Sequence, residues 1–270
     1  MNSSEENPPT SESSTYDVIE TPSAPSLPGS VVLRASEDDA LDAAAAEVFT
    51  HAIACVRTFG NFHMAVSAAP ANEPFFRRLM LDPALREFPW AKTHLWLLDE
   101  LLVHADDPIR RGITLLDYLV EPSDIPRNQV HLIDLESADP AAHYESQLGE
   151  HLGWREKGHD RLDYVLLDIG DSAIHGELHH AFPAGSPALS ADGPLVTRTT
   201  SHDLGRATMI TMTLRAINGS RFVAGIITGE KRSRIVQDLV SERHTYSQIR
   251  PLGGELRWYV DHASSIRKSN

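Results

Sequence analysis

Residues 36–70 read SEDDALDAAAAEVFTHAIACVRTFGNFHMAVSAAP, and the fold turns on this stretch. Its first part is a long helical pattern, with Ser36 or Asp38 as N-cap and Gly60 as the stop. Its second part, NFHMAVS, is a short apolar run between turn-forming residues, which is how a strand covered on both faces reads. A helix that empties directly into a buried strand is half of a crossover unit. Cys55 is the single cysteine and lies in the apolar helix, so it has no internal disulfide partner and reads as core.

The alternation extends outward from there. A helical segment around Phe75 to Leu85 precedes the run THLWLLDE. A helix near Gly112 to Leu119 precedes QVHLIDL, and a helix from Pro140 to Leu152 precedes LDYVLLDIG. Strands are expected at MITMTLRAI, RFVAGIITG and ELRWYVD, with a helix between the last two from Lys231 to Val240. The pattern predicts an α/β protein with three α/β/α layers around a mostly parallel, Rossmann-like sheet. Nothing between residues 31 and 270 has linker composition, so this span is expected to be one domain. Residues 1–30 are rich in Ser, Pro and Glu and contain no Lys or Arg, the composition of a disordered tail.

The formal net charge of −14 argues against nucleic acid as a partner, because phosphate-backbone binding needs clustered Lys and Arg. It does not exclude a small anion, since a pocket responds to its own lining. No basic segment leads into an apolar run, and no run approaches the roughly 18 apolar residues of a membrane span. The cytoplasm, and no membrane partner, are the expectations.

Several blocks, in this order, resemble the 6-phosphogluconolactonase family, which includes glucosamine-6-phosphate isomerases. They are FPWAKTHLWLLDELLVHADDP, AAHYESQL, LDYVLLDIGDSAIHGELHHAFP, MITMTLRAIN followed by TGEKR, and RPLGGELRWYVDHAS. The resemblance runs from about residue 36 to 265 and implies hydrolysis of a sugar-phosphate lactone without a metal or other cofactor. The expected partner is a small-molecule sugar phosphate, and the expected state a monomer or weak homodimer.

By the same resemblance, His175 is the expected general base, with Asp99 and Glu100 in the catalytic set. Ser67, Gly170 and Asp171 are expected to bind substrate. The chain departs from the family where phosphate is held. The family's Ser-Gly-Gly-Ser-Thr-Pro turn becomes Ser67, Ala68, Ala69, Pro70, and the arginine of its Asp-Glu-Arg becomes Leu101. An alanine is strained wherever the glycine it replaces needs positive φ. Arg110, Arg111 and Arg232 are the candidate replacement cations, with Lys231 beside the last. Three readings stay open: a lactonase with a rearranged phosphate grip, a weak or inactive homologue that binds a sugar phosphate or serves as an interaction protein, and an isomerase or deaminase of the same superfamily. A metal site at His175, Glu177, His179 and His180 is not adopted, because the HExxH order is missing.

Overall fold

The computed structural model describes residues 23–104, 106–153, 155–156, 160–167, 169, 185–200 and 208–265. After β1 (Ser30–Arg34), α1 (Glu37–Phe59) begins where the Ser36 hydroxyl accepts from the Asp39 amide at 3.2 Å. It ends at Gly60, whose φ of 84° is the left-handed conformation that a side chain resists. The buried face of α1 is Ala40, Ala44, Val48, Ala52 and Cys55, mostly small side chains that let the helix lie close on the sheet. The strands β2 (Phe62–Val66) and β3 (Thr93–Leu97) follow, separated by α2 (Glu73–Leu81).

After β3 the chain runs through β4 (Asp99–Leu101), α3 (Arg111–Leu115), β5 (Val130–His131) and α4 (Pro140–Leu152). Next come β6 (Tyr164–Leu166), β7 (Val196–Thr200), β8 (Thr208–Met212) and α5 (Leu214–Gly219). The fold closes with β9 (Phe222–Ile227), α6 (Ser233–Val240) and β10 (Glu255–Asp261). Seven strands form one parallel sheet in the order β1-β10-β9-β6-β2-β3-β5. Every residue of β2, β6 and β9 is buried, as expected of strands sandwiched between helical layers.

Two apolar cores confirm the three layers. One joins α1 and α2 to Met64, Val66, Leu95 and Leu97; the other joins α4, α5 and α6 to Ala65, Trp96 and Leu98 on the opposite face. Alternate residues of one strand thus serve different cores, which follows from the two-residue period of a strand.

Three expectations change. MITMTLRAI is not a strand of the parallel sheet: its first part is β8, in a separate antiparallel sheet of order β4-β8-β7, and its second part is the helix α5. The Thr213 hydroxyl accepts from the Ala216 amide, starting that helix. The run THLWLLDE divides between the two sheets: Leu98 still bonds to Val66 of β2, and Asp99 pairs with Thr211 of β8. Finally, residues 27–30, within the stretch expected as tail, are packed. Leu27 is buried, the Trp258 indole donates to the Pro28 carbonyl at 2.7 Å, and Ser30 opens β1.

Candidate active site

The strand order reverses beside β2: β3 and β5 lie on one side of it, and β6, β9 and β10 on the other. Open parallel sheets bind ligands at such a switch point, at the carboxyl ends of the strands. Ser67 is the residue that follows β2 there. It is fully buried, and its amide donates to Leu166 of β6 at 3.1 Å. Asn72 fastens the same two strand ends, donating from Nδ2 to the carbonyls of Ser67 at 2.9 Å and Leu167 at 3.1 Å. Sequence reasoning missed Asn72. Its signal was a polar residue two positions after Pro70, in a turn of otherwise small apolar residues.

The turn itself carries no strain. Ala69 has φ −70°, and Glu242 is the single non-glycine residue with positive φ among those described. The alanines that replace the family's glycines therefore hold ordinary backbone, with both methyl groups buried.

Two of the candidate cations, Arg110 and Arg111, lie near Ser67 and the Asp99–Glu100 pair. Leu101 is buried in β4, while Arg111, at the start of α3, turns inward. Its Nη1 donates to the Ser67 hydroxyl at 3.0 Å and pairs with the Asp99 carboxylate. Arg110 also faces inward, with Nε 3.5 Å from Glu100 Oε2 and its side chain 18% exposed. Neither arginine is a solvated surface group. Asp99 Oδ1 is buried and has no hydrogen-bond partner among the described residues.

Glu100, expected in the catalytic set, is held by backbone amides. Its Oε1 accepts from the amides of Leu101 and Arg111, both at 2.9 Å, and Oε2 accepts from the Gly112 amide at 2.8 Å. This carboxylate caps the start of α3 and aims Arg111 at Ser67, so the geometry makes it a positioning residue. Gly112 permits the approach, because a Cβ there would lie 2.9 Å from Glu100 Oε2. Tyr144, from the AAHYESQL block, braces the same region. Its hydroxyl accepts from the Leu97 amide and lies 2.9 Å from the carbonyls of Leu97 and His131, tying α4 to β3 and β5.

Arg232 follows β9, two strand spacings from β2 and so about 10 Å across the sheet. Its Nη1 donates to the carbonyl and hydroxyl of Thr228, each at 3.3 Å. Gly229 needs its φ of 83°, and its amide donates to Asp261 at the end of β10. Ser67, Asp99, Arg111 and Arg232 thus share the carboxyl edge. Gly170, Asp171 and His175 lie outside the described residues, as do Glu177, His179 and His180.

The model of the family "Glucosamine-6-phosphate isomerases/6-phosphogluconolactonase" matches residues 35–258. The human GDH/6PGL endoplasmic bifunctional protein is 29% identical over 243 residues, 86% of this chain but 30% of that protein. A 6-phosphogluconolactonase from Nostoc is 27% identical over 82% of this chain and 91% of its own length. The 6-phosphogluconolactonase structure from Thermotoga maritima superposes with a TM-score of 0.69 at 21% identity, covering 86% of this chain and 99% of that one. A monomeric glucosamine-6-phosphate deaminase does so equally well, at 17% identity over 87% of this chain and 98% of that one. Those structural likenesses establish the fold. Among the described residues no helix is long and apolar enough to cross a membrane. With the family model covering most of the chain and the fold shared, the chain belongs to the glucosamine-6-phosphate isomerase/6-phosphogluconolactonase family.

Proposed function

We propose that the protein hydrolyses 6-phospho-D-glucono-1,5-lactone to 6-phosphogluconate in the cytoplasm. The observation that carries this reading is Arg111, a buried guanidinium brought to Ser67 at the switch point, where the family's own arginine is missing. Arginine holds phosphate as a planar fork, and the substrate phosphate competes with Asp99 for it. Arg110 and Arg232 supply further charge at the same edge. The partnerless Asp99 Oδ1 accepts a sugar hydroxyl. His175 is the base: it takes a proton from water as the water oxygen bonds to the lactone carbonyl carbon. The ring C–O bond then breaks, and the same proton passes to the departing oxygen. The 6-phosphogluconolactonase name of the Nostoc protein supports this over the isomerase reading.

One observation favours the alternative of a weak homologue that only binds. Arg111 pairs with Asp99, and Arg110 lies against Glu100, so both cations already have counter-charges. Hydrolysis of freshly generated lactone, measured against the spontaneous rate, separates the two. An active enzyme exceeds the blank and loses about 10²–10⁴-fold with His175→Ala. A wild type that matches the blank yet binds 6-phosphogluconate is the inactive homologue.

A further inference from the structure

At the opposite, amino end of the sheet a group of histidines belongs to none of this chemistry. His63 of β2 lies opposite His94 of β3, and Trp96 of β3 lies opposite His131 of β5. His151 joins them from the last turn of α4. His94 Nδ1 and His131 Nε2 are 3.1 Å apart, and one ring nitrogen each from His94, His131 and His151 lie within 4.8 Å of one another. Five residues of strand separate His94 from Asp99, about 16 Å. We propose that His94, His131 and His151 form a binding site for a late divalent transition metal, Zn²⁺ foremost, that clamps α4 to the amino end of the sheet.

The geometry is close to what such an ion needs. Zinc–imidazole bonds of about 2.0–2.1 Å place ligand nitrogens in a tetrahedron roughly 3.3 Å apart. The His94–His131 pair already has that spacing. His151, within 4.8 Å of the other two nitrogens, has to close by up to about 1.5 Å, a side-chain adjustment for a half-buried residue near a helix end. A plain N–H···N hydrogen bond accounts for two of the three nitrogens, while the His151 ring packs edge-on against His131 with centroids 4.4 Å apart. One ion accounts for all three. His94 would bind through Nδ1 and His131 through Nε2, each keeping its proton on the other ring nitrogen, so that two neutral rings become ligands by a change of tautomer.

The surroundings hold these rings in place. The Trp96 indole stacks on His131 with centroids 3.7 Å apart, and His63 stacks on His94 at 4.3 Å. His63 is not itself a ligand: its Nδ1 accepts from the Trp96 indole at 3.1 Å, which puts its proton on Nε2. The nearby cation Arg155 is held by both oxygens of Asp163, at 2.9 and 3.0 Å, which offsets its repulsion of an ion. Burial keeps the rings uncharged, lowering His131 to about 3 and His94 to about 4. His94 and His151 are half-buried, and the proposed ion takes water as its fourth ligand. Three imidazoles suit zinc, nickel, copper or cobalt and not the oxygen-seeking magnesium or calcium.

The test uses the full chain without a histidine tag, stripped by chelator and titrated with Zn²⁺ by calorimetry and with Co²⁺ by visible absorption. One ion per chain is expected, with the intense d–d bands of tetrahedral cobalt, and with a melting temperature raised by roughly 5–10 °C at 100-fold excess over Kd. His94→Gln and His151→Ala should each weaken binding by about ten-fold or more. Their circular dichroism shows whether they fold, and His151→Ala changes a half-buried residue that folding tolerates. His143→Ala, on the exposed side of α4, and the combined His175→Ala, His179→Ala, His180→Ala variant should bind as the wild type does. No saturable binding, binding untouched by His94→Gln and His151→Ala, or binding lost with the combined variant would each overturn the proposal.

Discussion

The two ends of the parallel sheet bury different sets of polar groups. At the carboxyl end the buried groups are ionic: Asp99 with Arg111, and Glu100 with backbone amides and Arg110. At the amino end one buried ion pair, Arg155 with Asp163, lies beside four imidazoles, His63, His94, His131 and His151, which cluster through ring contacts and one ring-to-ring hydrogen bond. Buried charge is tolerated only with its partner in place, whereas a neutral ring is tolerated by packing. The charged carboxyl end therefore suits the proposed anion, and the neutral imidazole cluster at the amino end offers lone pairs.

Breaking one pair at the charged end should have the largest effect. Arg111→Met leaves the Asp99 carboxylate buried without its cation, and unfolding in urea should show a loss of about 3–5 kcal/mol. The matching change at the neutral end, His151→Ala in chelator, should cost less than about 1 kcal/mol. Equal losses would erase the distinction.

Acid should act on the neutral end. Burial lowers His63 to about 2, with His94 and Arg155 adding to the effect, and lowers His131 and His94 to about 3 and 4. These folded-state values lie below the unfolded value of 6.5, so the unfolded chain binds more protons between them. Stability is thus complete above about pH 6.5 and declines as pH falls toward the folded values. Each histidine that must stay neutral contributes a loss of up to about 1.4 kcal/mol per pH unit. With chelator present, the melting temperature should fall between pH 7 and 5, and less so in His63→Phe.

A smaller change sharpens the account of the charged end. Gly112→Ala forces its methyl against Glu100 Oε2 and should cost about 1–2 kcal/mol in urea unfolding. The smallest effect concerns Cys55, whose thiol is pushed up to about 12 by burial, with Asp163 adding to it. Native protein at pH 8 should react with iodoacetamide far more slowly than unfolded protein, with no change in stability.

Much of this fold was legible in local pattern. Ser36 and Gly60 bound α1 as read, and Pro140–Leu152 is α4 to the residue, because caps and helix period are properties of neighbouring residues. The small antiparallel sheet was not legible. Asp99 leaves the line of β3 for a partner more than a hundred residues away, and nothing local announces that pairing. The site was half legible. Ser67 and Asp99 were singled out through the resemblance, but the inward turn of Arg111 goes with Glu100 capping α3, a contact across eleven residues. The histidine cluster escaped because its members come one each from four elements, so no spacing along the chain betrays them.

The central claim, that Arg111 has taken over the grip on phosphate, is tested most directly by substrate preference. Wild type and Arg111→Lys, which keeps the charge but not the fork, are compared on freshly made 6-phosphogluconolactone and on unphosphorylated gluconolactone, each against its spontaneous rate. The wild type should accelerate opening of the phosphorylated lactone and prefer it. Arg111→Lys should lose about ten-fold or more of that preference, chiefly through KM. A wild type no faster than the blank, or a preference unchanged in Arg111→Lys, would contradict it.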